Sequence, residues 1–146
     1  MSERGFEWVK GYNGGHALPA RKTRKSAGYD FFSNEDVLVP ALGEAKVKTK
    51  VKAYMPEDEH LELFIRSSYG IKYGLMLANC VGIIDADYYG NEDNDGEIQA
   101  LILNRTNEDF MIKRGDSFMQ GIFLKHYTAG DSPTSERKGG VGSTGK

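Results

Sequence analysis

The sequence predicts an all-β chain of the sandwich, jelly-roll or barrel kind, and three observations carry that expectation. Glycine is abundant, 18 of 146 residues, about 12% where about 7% is usual, which suits a turn-rich chain. Residues 46–55 alternate strictly, with Val47, Thr49, Val51, Ala53 and Met55 on one side and Lys46, Lys48, Lys50, Lys52 and Tyr54 on the other. Period two is the mark of a strand with one buried and one wet face. Short apolar segments then recur between turn clusters, and no window longer than ten residues keeps a 3.6-residue period. Many short strands at regular spacing do not build a helix bundle.

Taken in order, the first strands are expected at residues 29–32 and 37–39, separated by the polar cluster 33–36. The alternating strand 46–55 follows. Pro56, Glu57, Asp58, Glu59 and His60 form the next turn, because Pro and acidic residues punctuate the pattern there. Leu61, Leu63 and Ile65 alternate with Glu62, Phe64 and Arg66 in the strand after it. Further strands are expected at residues 75–78, 98–103, 110–113 and 118–127, between turn clusters at 90–96, 104–109 and 114–117. From Thr128 onward Gly, Ser and Thr dominate. The chain therefore divides into a β domain over residues 1–127 and a flexible tail over residues 128–146.

Composition sets further bounds. Hydrophobic residues make up 39% and charged residues 27%, a globular balance that argues against wholesale disorder. The net charge of −2 gives no basic field to draw the chain to nucleic acid or an anionic membrane, so neither is expected as a partner. Cys80 is alone, which excludes an internal disulfide and makes a reducing, cytoplasmic setting the default. Residues 1–25 contain no continuous apolar region, so no secretory signal is expected. The longest apolar stretch, residues 75–84, is interrupted by Asn79 and falls far short of the roughly 20 residues of a membrane span.

Four segments carry candidate chemistry. Gly140 to Lys146 fits G-x-x-x-x-G-K but lacks the Ser/Thr and the following helix of a phosphate-binding P-loop. What remains is Gly-rich backbone with Arg137, Ser143 and Thr144, donors suited to wrapping a phosphate, or else a plain terminus. Arg66, Ser67, Ser68, Tyr69 and Gly70 place a guanidinium and two hydroxyls beside a glycine. This is an oxyanion-binding turn in kind, or an ordinary strand-end arginine. In the run from Gly82 to Gly90, Asp85 and Asp87 lie two apart and on a strand would share a face. Paired carboxylates serve as general base or metal ligands, and Asp is also common at a hairpin entry. Residues 91–96 read as a solvated hairpin tip, since the terminal Glu and flanking helices of a calcium loop are missing. His16, His60 and His126 are far apart in sequence and show no ligand spacing; residues 21–25 read as a solvated basic run.

Together these segments resemble the trimeric dUTPase family (dUTP diphosphatases) at five motifs in family order. Ala27-Gly28-Tyr29-Asp30-Phe31 resembles the first, A-G-Y-D-L, and Arg66-Ser67-Ser68 with Gly70 resembles the second. The run Gly82-Ile83-Ile84-Asp85-Ala86-Asp87-Tyr88-Tyr89-Gly90 matches the third, G-x-I-D-x-D-Y-x-G. Arg114-Gly115-Asp116-Ser117-Phe118-Met119-Gln120 resembles the fourth, with Ser117 where Arg is common. The segment from Arg137 to Gly145 resembles the fifth, with Val141 where the family usually has a Phe stacked on uracil.

The resemblance implies an antiparallel jelly-roll (β-clip) subunit and a homotrimer. It also implies sites built between subunits, with the tail of one chain closing over a neighbour's site. The implied reaction is Mg²⁺-dependent, dUTP + water → dUMP + diphosphate. It limits uracil in DNA and supplies dUMP for thymidylate. Asp85 would be the base that activates water toward the α-phosphorus. Tyr88 would pack on the deoxyribose and exclude a 2′-hydroxyl. Asn79, with the backbone of Gly82, Ile83 and Ile84 and of Ile98 and Gln99, would read uracil. Arg66, Ser67, Ser68, Gly70, Gln120 and Arg137 would bind the triphosphate, joined by Gly140, Val141, Gly142, Ser143 and Thr144 of the tail. Asp30 would hold Mg²⁺ through water, with the metal mainly on phosphate oxygens. The related dCTP deaminases place a catalytic Glu in the strand after the third motif, but residues 98–103 here contain no acid. A non-catalytic trimeric binding protein is disfavoured by intact Asp85, Arg66 and Arg137, and no residue indicates a regulatory protein partner.

Overall fold

The computed structural model of the chain describes residues 2–130 and 133–139. Along them run β1 (Gly5–Trp8), β2 (Tyr29–Phe32), β3 (Val37–Val39), β4 (Glu44–Lys48), β5 (Val51–Tyr54) and β6 (Glu59–Ile65). The short helix α1 (Ser67–Ile71) and β7 (Leu75–Leu77) come next, then β8 (Gly82–Asp85) and a single 3-10 turn (Ala86–Tyr88). β9 (Gln99–Asn104), β10 (Phe110–Ile112) and β11 (Ser117–Lys125) complete the order. Every pairing is antiparallel. A four-stranded sheet, β2-β11-β6-β8, and a three-stranded sheet, β4-β9-β7, are flanked by the ribbons β1-β5 and β10-β3. This is the antiparallel jelly-roll class that the sequence predicts. Among the described residues no helix is long and apolar enough to cross a membrane.

The core collects the inward face of each strand. Phe31, Val39, Val47, Leu61, Ile102 and Ile112 are fully buried, drawn from β2, β3, β4, β6, β9 and β10. The alternation of Leu61 and Leu63 with Glu62 and Phe64 is preserved in β6, where the two leucines are buried and Glu62 and Phe64 half-buried. In β11 the register against β2 shifts between Ser117 and Met119. That irregularity lets the consecutive residues Phe118 and Met119 both be fully buried.

The alternating segment 46–55 departs from expectation: it is two strands rather than one. β4 pairs with β9, whereas β5 pairs with β1 in another sheet. The switch falls at Thr49 and Lys50, where Lys50 takes φ +62°, a left-handed conformation uncommon for a residue with a side chain. Thr49 is fully buried. Its Oγ1 donates to the Ile98 carbonyl at 2.6 Å and accepts from the Val51 N–H at 3.1 Å. The backbone groups freed by the break are thus bonded internally, and alternation continues across it because both strands bury the same side.

Other boundaries also move. β6 begins at Glu59, so the turn before it is shorter than residues 56–60. β4 begins earlier, at Glu44, and β9 runs one residue later than expected. β11 stops at Lys125, where the His126 N–H turns to donate to the Asp58 carbonyl. β1 and α1 carried no sequence expectation. β1 packs Phe6 edge-on against Phe31 with ring centroids 5.3 Å apart, and α1 buries only Tyr69.

Replacing Thr49 by Val keeps the shape and removes both hydrogen bonds, leaving a buried carbonyl and a buried N–H unmatched. Stability should fall by roughly 1–3 kcal/mol. The check is a lower urea midpoint at unchanged denaturant slope.

Candidate active site

β8 is an outer strand of the four-stranded sheet, in register with β6 through Leu63↔Gly82, Leu61↔Ile84 and His60↔Asp85. The backbone approaches closely at Gly82, where a Cβ would lie 3.1 Å from that of Leu63. Asp85 ends the strand and the 3-10 turn begins at Ala86. Asp87 therefore does not share a strand face with Asp85, contrary to the sequence reading. The turn nevertheless brings both carboxylates to one cation. Arg137 donates from Nη2 to Asp85 Oδ2 at 2.5 Å and from Nε to Asp87 Oδ1 at 2.7 Å. The arginine side chain is only 16% exposed, whereas the carboxylates are 53% and 60% exposed. The hydrogen bond that Arg137 donates to Asp87, aided by both negative charges and opposed by burial, holds the guanidinium above its ordinary range.

Beside this clamp lies a cleft of about 590 Å³ lined by Asn79, Gly82, Ile83, Ile84, Asp85, Tyr88, Gln99 and Arg137. A mainly apolar groove of about 400 Å³ adjoins it, sharing Asn79, Gly82 and Gln99 and backed by Leu77, Leu101 and Met119. The Tyr88 hydroxyl donates to the Glu97 carbonyl at 3.1 Å and accepts from Asn94 Nδ2 at 2.7 Å. Buried Glu97 accepts the Lys50 N–H at 2.9 Å and the Gln99 amide at 3.0 Å. Ile98 is fully buried, its N–H on the Val51 carbonyl. Glu97, Ile98 and Gln99 are thereby tied to the β4–β5 break.

Residues 91–96 are not a solvated tip. Asn91 and Gly96 are buried, and the segment folds back on Tyr88. Asp95 Oδ2 accepts from Lys52 Nζ at 2.7 Å and from the Lys10 N–H at 2.8 Å. The lysine bond holds the Asp95 carboxyl below its usual range. Gly96 has φ +86°, and a Cβ there would stand 2.5 Å from the Tyr88 carbonyl oxygen, so the turn closes only with glycine. Asn91, Asp93, Asn94 and Glu97 line the cleft, yet the sequence offered no periodicity or motif to mark them.

The remaining candidates stand elsewhere on the chain. Arg66, at the end of β6, donates from its backbone N–H to the Phe118 carbonyl and from Nη1 to the Ser117 carbonyl at 3.1 Å. Ser67, Ser68 and Gly70 lie in α1, so the expected oxyanion turn is a short helix. Asp30 on β2 faces Gln120 on β11 in register. Its carboxylate makes no ion pair or side-chain hydrogen bond among the described residues. None of Asp30, Arg66, Ser67, Ser68, Gly70 and Gln120 lines the cleft. Asp30 and Asp85 sit on opposite outer strands of one sheet, three strand spacings or roughly 14 Å apart across it and offset along it, since Asp30 lies level with Phe64 and Asp85 with His60 of β6. One chain thus carries two separated sets of candidate residues. Gly140, Val141, Gly142, Ser143 and Thr144 lie outside the described residues.

His60 and His126, distant in sequence, meet with Nδ1 atoms 3.0 Å apart, and His60 Nε2 is 2.8 Å from Glu62 Oε2. Among the described residues no group of three or more His, Cys, Asp or Glu side chains is disposed to hold a metal.

The dUTPase family profile matches residues 16–145. The chain is 45% identical to the deoxyuridine 5′-triphosphate nucleotidohydrolase of Lactococcus lactis subsp. lactis, over 99% of each chain. It is 35% identical to the enzyme of that name from Paramecium bursaria Chlorella virus 1, over 87% of this chain and 89% of the other. Among solved structures, the dUTPase from Streptococcus mutans aligns with a TM-score of 0.82 at 40% identity, covering 87% of this chain and 99% of that one. The phage phi11 dUTPase of S. aureus, at 22% identity and a TM-score of 0.73 over 92% and 98% of the chains, shares the fold and coordinates a structural Mg(II) ion. With its profile matched over most of the sequence and a relative aligned end to end, the chain belongs to the dUTPase family.

Proposed function

We propose that the chain performs the reaction its relatives are named for, hydrolysis of dUTP to dUMP and diphosphate, with Asp85 as the base. The observation that carries this reading is the convergence of Asp85, Tyr88, Asn79 and the Gly82–Asp85 strand on one cleft, with Arg137 at its rim. β8 is an outer strand, so the backbone groups on its open side have no ladder partner and can pair with a base edge. Such a slot accepts uracil, penalises cytosine by leaving donors unmatched, and rejects the thymine methyl by shape.

A water on Asp85 Oδ attacks the α-phosphorus. The carboxylate takes the water proton, the bond from phosphorus to the bridging oxygen breaks, and diphosphate leaves. Both Asp85 and Asp87 are engaged by the Arg137 guanidinium in the substrate-free chain. Triphosphate oxygens compete for that guanidinium, and its transfer to them frees the Asp85 lone pairs for water. Mg²⁺ on the triphosphate supplies charge neutralisation for the leaving diphosphate. The residues fit such an ion: the Asp30 carboxylate is a hard oxygen donor beside Gln120, suited to holding a hydrated cation through water. The free, exposed thiol of Cys80 suits a cytoplasmic enzyme.

The two half-sites support assembly as a homotrimer, in which the Asp30, Arg66 and Gln120 set of one subunit completes the Asp85 cleft of another. In the same reading the tail closes over a neighbour's site, although in the single chain Arg137 meets its own Asp85.

Incubation with dUTP, dCTP, dTTP and UTP plus Mg²⁺ should release diphosphate efficiently from dUTP alone; ammonia from dCTP would overturn the assignment. Asp85→Asn should leave nucleotide binding largely intact and slow single-turnover chemistry by about 10²–10⁴-fold. Near-normal turnover would move the base elsewhere, with Asp87 first in line.

Chains lacking residues 137–146 should fold and assemble but lose kcat/KM. Mixing them with Asp85→Asn chains should restore activity once mass spectrometry shows subunit exchange. Failure to recover any would mean that the tail acts on its own subunit.

A further inference from the structure

The cleft wall contains a residue that no motif of the family marks and that acts on the sugar-facing tyrosine. Asn94 donates from Nδ2 to the Tyr88 phenol oxygen at 2.7 Å, and the phenol spends its own proton on the Glu97 carbonyl at 3.1 Å. The ring is therefore held from two sides by bonds of defined direction. Asn94 is itself fixed. Its Oδ1 accepts from the Gly96 N–H at 3.0 Å and from Asn91 Nδ2 at 3.1 Å. Its backbone N–H donates to the Asn91 carbonyl, and its carbonyl accepts the Glu97 N–H. Behind it, Asn91 is only 6% exposed, and the Asp95–Lys52 ion pair pins the loop to β5.

We infer that Asn94 is a positioning residue for sugar discrimination: by holding the Tyr88 phenol it keeps the ring where a 2′-hydroxyl would have to sit. This rests on the reading of the cleft as a dUTP site. An aromatic ring excludes an added hydroxyl only if it cannot rotate or slide away. An oxygen atom is small, and the room it needs is gained by a modest tilt of an untethered ring. A directional hydrogen bond between half-buried partners resists that tilt. Residues 91–96 then have a use: they carry the donor that locks the tyrosine.

The test is a double-mutant cycle read as the ratio of kcat/KM for dUTP to kcat/KM for UTP, with Mg²⁺, in the full-length enzyme. The variants are Asn94→Ala, Tyr88→Phe and the two combined. A ratio between substrates is insensitive to the fraction of enzyme folded, so general destabilisation does not move it. Each single variant should lower the ratio by about threefold to tenfold, the scale of one lost hydrogen bond. The combined variant should match the singles, because Asn94 has nothing left to hold once the phenol is gone. An unchanged ratio in Tyr88→Phe overturns the inference even if Asn94→Ala fails to fold. So does an unchanged ratio in Asn94→Ala, or a combined loss equal to the product of the two. An unmutated enzyme that does not hydrolyse dUTP overturns the functional reading instead, and the inference with it.

Discussion

Everything at the active site depends on the register of β6, which pairs with β11 along its whole length and with β8 on its other side. Leu61 and Leu63 must point inward, and a slip of one residue would send them to solvent and Glu62 and Phe64 into the core. The burial of two leucines therefore fixes where Asp85 stands against His60 and where Gln120 stands against Phe64. It also fixes what cannot meet within one chain. Asp30 and Asp85 are carried by the two outer strands of one sheet, so their separation is a property of the core.

Two kinds of bond organise the cleft, and they divide by depth. At the rim, charged groups half open to water hold Arg137 between Asp85 and Asp87. Such pairs are screened and readily exchanged. Deeper in, neutral bonds link Asn91, Asn94, Tyr88 and the Glu97 carbonyl, and the Glu97 carboxylate takes the Gln99 amide. Those bonds are directional and replaced at greater cost where water is scarce. The ion pairs that the proposed mechanism exchanges are thus at the rim, and the deeper set rests on amide and phenol groups and the Glu97 carboxylate. The β4–β5 break serves the second set, since the Lys50 N–H freed there binds Glu97.

The strands whose apolar residues alternate were legible in the sequence, because one buried face imposes period two. The break at Thr49 was not, since both halves bury the same side and alternation runs through it unbroken. β1 was missed because Gly5–Trp8 is only half-buried throughout and shows no contrast between faces. Asp85, Tyr88 and Asn79 could be named from their motif, and the structure gathers them in one cleft. Residues 91–96 were misjudged because polarity suggested solvation. Their amides and carboxylate are instead used internally, on Tyr88 and Lys52. The His60–His126 contact joins β6 to the residue after β11, and a long-range pairing of that kind leaves no trace in spacing.

If the tail closes as proposed, the arginine clamp makes that closure an ion exchange. In the resting chain Arg137 is the counter-ion of two aspartates; in the reading given above it becomes the counter-ion of a triphosphate. The guanidinium is neutralised before and after, so its desolvation cost largely cancels and the difference between two anions remains. In that reading a triphosphate carries more charge than the two carboxylates it replaces, and loss of diphosphate returns Arg137 to its aspartates.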